Sequence, residues 1–159
     1  MSMPPLLTTK IACKVVGYDP DRLNEQVSLG NFACAPKTSP GRTRLFDPHA
    51  MLALKLFVDQ MDNGVSASVA GVIACEVATE ARVNPECPAI SYVLDYFTHP
   101  SGYACTYDQV PAPETWFGAG DDDIARHDVR QVITFNVAKA RSIIAHYTEY
   151  ERSIIGSED

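Results

Sequence analysis

Residues 40–51, PGRTRLFDPHAM, place two arginines two positions apart behind a Pro-Gly turn. On an extended segment Arg42 and Arg44 point to one face. A guanidinium is a planar fork suited to paired contacts with phosphate oxygens. Lys37 lies on the other side of the same turn, and residues 32–46 hold three basic residues and no acidic one. Phosphate contact is the chemistry such a cluster supports. Upstream, Asp21, Arg22, Asn24 and Gln26 fall within one short polar segment. Asn and Gln can read an adenine edge. Asp21 beside a nucleic acid would have to accept from a cytosine or order an arginine. Lys10 and Lys14, spaced i,i+4, share a helix face that could touch backbone phosphates.

These side chains need elements to hold them. In residues 8–16, TTKIACKVV, the residues Ile11, Ala12, Val15 and Val16 make one helical face. Thr8 is the expected N-cap and Gly17 the stop. Asp19-Pro20 opens a second helix, with Asp19 as N-cap and Pro20 at the first helical position. This helix is expected to run to about Leu29 and end at Gly30-Asn31. Two short helices joined by a Gly turn make a helix-turn-helix unit. Phe32–Ala35 and Leu45-Phe46 then flank a Pro- and Gly-rich tip, which reads as a β-hairpin wing.

Asp47-Pro48 repeats the capping signal for a third, broadly apolar helix to about Asp62. Ser66 opens a fourth, with Val69, Val72, Ile73 and Val77 expected inward, fading near Arg82. Residues 84–88, NPECP, form a breaker-rich linker. Beyond it, residues 90–97, 103–107 and 131–135 read as strands, and residues 136–155 as a helix. The expected fold is therefore α+β: a winged helix-turn-helix over residues 7–82, then a small acidic α+β domain over residues 89–155 that ends in a helix.

Net charge is −7, with the acidity concentrated in residues 81–159, which carry 6 Lys+Arg against 12 Asp+Glu. That balance disfavours a broad nucleic-acid surface and leaves room for a local one. No apolar run reaches the roughly 18 residues of a membrane span, and the start MSMPPLL lacks the basic segment of a signal peptide. A cytoplasmic protein is expected. The five cysteines are widely spaced and form no C-x-x-C pair. They are expected to be buried free thiols rather than a disulfide framework or zinc site. Asp121, Asp122 and Asp123 read as a solvated acidic turn rather than a metal site. His49 reads as a surface histidine. His99, His127 and His146 are far apart, and no catalytic arrangement can be argued from spacing, so neither an enzyme nor a cofactor is expected. Tyr92, Tyr96, Tyr103 and Tyr107 suit a packed sheet face.

The segments LTTKIACKVVGYDPDRLNEQVSLGNF and PGRTRLFDPHAMLALKLFVDQMDNGVSASVAGVI resemble the DNA-binding domain of the MerR-like regulators and the related excisionase-like proteins, over residues 7–80. The resemblance implies a homodimer that reads double-stranded DNA, with the second helix in the major groove and the wing on the backbone. By position it assigns contacts to Lys10, Lys14, Asp21, Arg22, Asn24, Gln26, Lys37, Arg42 and Arg44. Family members carry an Arg-aromatic pair late in the second helix, where this chain has Asn24-Glu25-Gln26. Two further readings stand beside a transcriptional regulator. One is an excisionase-like DNA-bending factor. The other is an antirepressor or adaptor that engages a protein partner through the acidic half.

Overall fold

The computed structural model describes residues 4–97, 102–116 and 127–156. In chain order the elements are β1 (Leu7–Thr8), α1 (Thr9–Val16), α2 (Pro20–Ser28), β2 (Leu45–Phe46), α3 (Pro48–Asp62), α4 (Ala67–Val83), β3 (Ala89–Asp95), β4 (Tyr103–Thr106), β5 (Val129–Asn136) and α5 (Val137–Gly156). The fold is α+β, as the periodicities predict. No helix among the described residues is long and apolar enough to cross a membrane.

The helix starts follow local chemistry. Thr8 Oγ1 accepts from the Ile11 amide at 3.4 Å, Asp19 Oδ1 from the Asp21 and Arg22 amides at 2.8 and 3.0 Å, and Asp47 Oδ1 from the Ala50 amide at 2.8 Å. Each satisfies amides that the first helical turn leaves without a carbonyl partner. Ser66 stands at the N-cap of α4 but makes no capping side-chain bond.

The β-hairpin expected between residues 32–35 and 45–46 is not formed. Phe32 is fully buried and stacks on Phe57 of α3, with ring centroids 4.8 Å apart. Pro36 has no amide to give a ladder. Leu45 and Phe46 pair instead with β1, in the register Leu7↔Phe46 and Thr8↔Leu45. The wing is therefore a loop whose ends are held by the core.

The buried stripe of α4 runs through Ala70, Ile73, Ala74, Val77, Ala78 and Ala81. Its alanines let neighbouring elements approach closely. The stripe leaves Val69 and Val72, both expected inward, 47% and 42% exposed on its flank. The closest approach is at Gly71, where an added Cβ would stand 1.6 Å from the Asn31 carbonyl oxygen. The segment leaving α2 therefore lies directly on α4. One helical turn further, Cys34 meets Cys75 with Cα atoms 5.7 Å apart, and the two form a disulfide. This corrects the expectation of free thiols: Gly71 and Cys75 share one face of α4, and the loop crossing Gly71 brings Cys34 onto the same face. Cys13, Cys87 and Cys105 are free.

The second sheet is antiparallel, in the order β4-β3-β5. A register shift at Leu94/Asp95 interrupts the β3–β5 ladder. The extra residue is Arg130 on β5, and Tyr96 and Tyr107 lie just past the ends of β3 and β4. Tyr92 is buried, whereas Tyr96 and Tyr107 are exposed, so the tyrosines do not form the single packed face expected of them. α5 packs against α1 and α3, and α4 packs against β3 and β4. Buried residues from both halves, from Leu7 and Leu54 to Ile90, Phe135 and Val137, belong to one continuous cluster.

Candidate nucleic-acid interface

The candidate interface is built on α1, α2 and the loop of residues 31–44. Gly17 ends α1 with φ 74°, and its amide donates to the Cys13 carbonyl. That left-handed turn suits glycine, and the Asp19 cap starts α2 two residues later. α2 is anchored by one fully buried side chain, Leu23, with Val27 partly buried against the core. The remaining surface of α2 is polar and open.

Of the expected contact residues, Lys10, Lys14, Asp21, Arg22, Asn24, Lys37 and Arg42 are exposed. Arg22 and Asn24 make no side-chain hydrogen bond among the described residues and stand beside exposed Asp21 and Glu25. Gln26 is engaged, since its Oε1 accepts from Asn31 Nδ2 at 2.8 Å. Arg44 is half-buried and donates from Nη1 to the Pro36 carbonyl at 2.6 Å. It ties one limb of the loop to the other. Arg42 and Arg44 are therefore not an equivalent pair on one strand face: no strand forms there, and of the two only Arg42 is exposed. At the tip, the Arg42 amide donates to the Ser39 carbonyl at 3.0 Å, with Pro40 and Gly41 (φ 78°) between them. This is the arrangement of a type II turn. The Thr38 hydroxyl also donates to the Arg42 carbonyl.

Two pairings escaped the sequence reading. The disulfide Cys34–Cys75 fixes the start of the loop to α4. The other is Asp95 with His127. Asp95 is 1% exposed; its Oδ2 lies 2.7 Å from His127 Nδ1, and its Oδ1 accepts from the Phe97 and Asp128 amides. Burial alone pushes this carboxyl up; the Asp128 amide, the His127 hydrogen bond and the Phe97 amide outweigh it and hold the carboxyl below its ordinary value. A single carboxylate in the apolar run YVLDYF was the available signal. The pair ties the residues just before β5 to the last residue of β3.

His49, expected at the surface, is half-buried at the start of α3. Burial and the neighbouring Arg82 push its imidazole below the usual histidine value, against the opposing pull of Asp47 and the Ala78 carbonyl. Its Nδ1 is buried without a hydrogen-bond partner among the described residues. The triad Asp121–Asp123 lies outside the described residues. Among the described residues no three His, Cys, Asp or Glu side chains group in a way that could hold a metal. Compared with models of known protein families and with curated protein sequences, the chain matches none.

Proposed function

We propose that this protein is a sequence-specific DNA-binding regulator that presents α2 to the major groove and the 31–44 loop to the phosphate backbone. The observation that supports this most is the α1–Gly17–α2 unit, which is tied to the core through Leu23 and leaves Arg22 and Asn24 exposed and, among the described residues, without side-chain hydrogen bonds. Lys10, Lys14, Lys37 and Arg42 supply exposed positive charge on the adjoining segments. Base edges would be read from α2, while Arg42 and Lys37 would set register on the backbone. Arg44 and Gln26 hold the loop and the end of α2 in place rather than contacting DNA.

So few cations make a small electrostatic footprint, so two copies on one duplex would bind better than one through avidity. Tyr147, Tyr150 and Ile154 form an exposed stripe at helical spacing on the second half of α5, with Ile155 beside it. We assign that stripe to a second copy of the chain.

The test is selection of random duplex DNA on the purified protein, with an Arg22→Ala/Arg42→Ala variant in parallel. An enriched motif, bound with steep salt dependence and lost in the variant, is the expected result. Equal, motif-free binding by both proteins would remove the DNA reading. The net charge of −7 and exposed Glu25 on α2 would then favour the adaptor reading, with a basic protein as partner. Tandem, strongly bent footprints would favour the excisionase-like role instead.

A further inference from the structure

We propose that the cleft between α5 and the α3–α4 pair binds a small amphipathic carboxylate. The cleft measures about 560 Å³, within the range of pockets that take small organic ligands. Its floor is apolar, made by Leu7 of β1, Met51 and Leu52 of α3, and Ile144 of α5. Such a surface has room for a hydrocarbon or aryl body.

The polar groups around that floor are unbalanced in sign. Arg82 and Arg141 line the cleft, with Asp47 as the only carboxylate among its lining residues. Asp47 Oδ1 is already used, since it caps α3 through the Ala50 amide at 2.8 Å. Arg82 is exposed, and among the described residues it makes no ion pair or side-chain hydrogen bond. Arg141 donates from Nη1 to the Pro85 carbonyl and from Nη2 to the Ala81 carbonyl, both at 3.2 Å. Those bonds fix its fork at the end of α4 and leave its charge unneutralised. A chain of net charge −7 thus sets two guanidiniums around an apolar hollow, neither of them in an ion pair among the described residues. His49 also lines the cleft, and its buried Nδ1 has no hydrogen-bond partner among the described residues. Thr148 of α5 is buried and lines the same space. A carboxylate accepts bidentate bonds from a guanidinium, and the apolar floor covers the rest of such a molecule. Binding would bridge β1, α3, α4 and α5, and it does not depend on whether the protein reads DNA.

The probes are straight-chain carboxylates from hexanoate to tetradecanoate, titrated calorimetrically into the full chain, with decanol and decylamine as neutral and cationic counterparts of decanoate. One saturable site is expected, with a preference of about tenfold or more for the anion over both counterparts. Arg82→Gln should weaken decanoate binding by about tenfold. Ala145→Trp, which places an indole in the cleft from an exposed position of α5, should abolish it. As a measurement independent of any variant, saturating decanoate should shift the NMR methyl signals of Met51 and Ile144 in the wild-type protein. The proposal is overturned if no carboxylate of the series saturates, if decylamine binds as well as decanoate, if both variants bind like wild type, or if the shifted methyls lie elsewhere.

Discussion

His127 Nδ1 lies 2.7 Å from Oδ2 of the buried Asp95, joining the last residue of β3 to the residue two before β5. The same carboxylate accepts the Phe97 and Asp128 amides. The irregular end of the β3–β5 ladder is thus closed by one side chain where backbone pairing shifts register. Asp95→Asn removes the charge from three bonds and should destabilise the fold by roughly 1–3 kcal/mol, measured by urea unfolding.

The pH dependence of that clamp has a definite sign. The folded-state carboxyl is held below its ordinary 3.8. The unfolded chain therefore binds the proton more readily, and stability rises with pH across that range. The contribution of Asp95 is complete above the ordinary carboxylate value and is lost as pH falls through its lower folded-state value. The stability gap between wild type and Asp95→Asn should narrow as pH falls through the carboxylate range. A gap unchanged down to the acid limit of folding would refute the charge-based account.

His49 acts in the same direction at higher pH. Burial first, and Arg82 second, push its imidazole below the usual 6.5. Folding therefore favours the neutral ring, with a stabilising contribution that is complete above 6.5 and lost as pH falls through the lower folded value. NMR titration of the ring should give a midpoint below that of a free histidine, and Arg82→Gln should move it upward. A midpoint indifferent to Arg82 would show that burial acts alone.

Gly71 is where the segment leaving α2 lies against α4. Because a Cβ there would meet the Asn31 carbonyl at 1.6 Å, Gly71→Ala must displace the segment leaving α2. The intrinsic helix preference for alanine would add roughly 1 kcal/mol of stability; the clash should reverse that sign and leave a net loss of about 1–3 kcal/mol. A thermal melt at or above the wild-type Tm would show that the two segments are not in contact.

The Cys34–Cys75 bond is checked by peptide mapping without reductant, which should recover the two cysteines in one linked peptide pair. Replacing both with serine should cost roughly 2–4 kcal/mol. It should also loosen the loop that carries Lys37 and Arg42, so any DNA affinity should fall along with stability.

Arg42 and Arg44 separate two ways of losing that affinity. Arg42→Ala removes an exposed charge. Under the DNA-binding proposal it should lower the salt dependence by about one phosphate contact with little change in Tm. Arg44→Ala cuts the tie to the Pro36 carbonyl and should disorder the loop, seen as faster amide exchange over residues 36–44. Equal effects from both variants would return them to one functional pair.

What could be read in advance was what the chain decides locally. Asp19-Pro20 and Asp47-Pro48 mark the starts of α2 and α3 because a cap and a first-turn proline act within a few residues. Gly17 and Gly41 likewise carry their turns in their own backbone preference. The partner of Leu45-Phe46 was not legible, because two short apolar ends can pair with any edge and the choice fell to burial of Phe32 against Phe57. Cys34 with Cys75 and Asp95 with His127 were hidden for the same reason: each pair is joined only by packing between segments distant in sequence. The exposed lysines and Arg22, Asn24 and Arg42 stayed where their polarity placed them, while Gln26 and Arg44 were drawn into bonds that only the folded loop creates.

The packing of α5 against α1 has a consequence in time. On the ribosome α1 emerges long before α5, and at about 5–20 residues per second the delay is on the order of ten seconds. During that interval the face of α1 that α5 will cover is open to any passing apolar surface. The nascent chain must therefore be kept from sticking before it can close, and its soluble yield should rise with slower synthesis at low temperature or with extra holding chaperone.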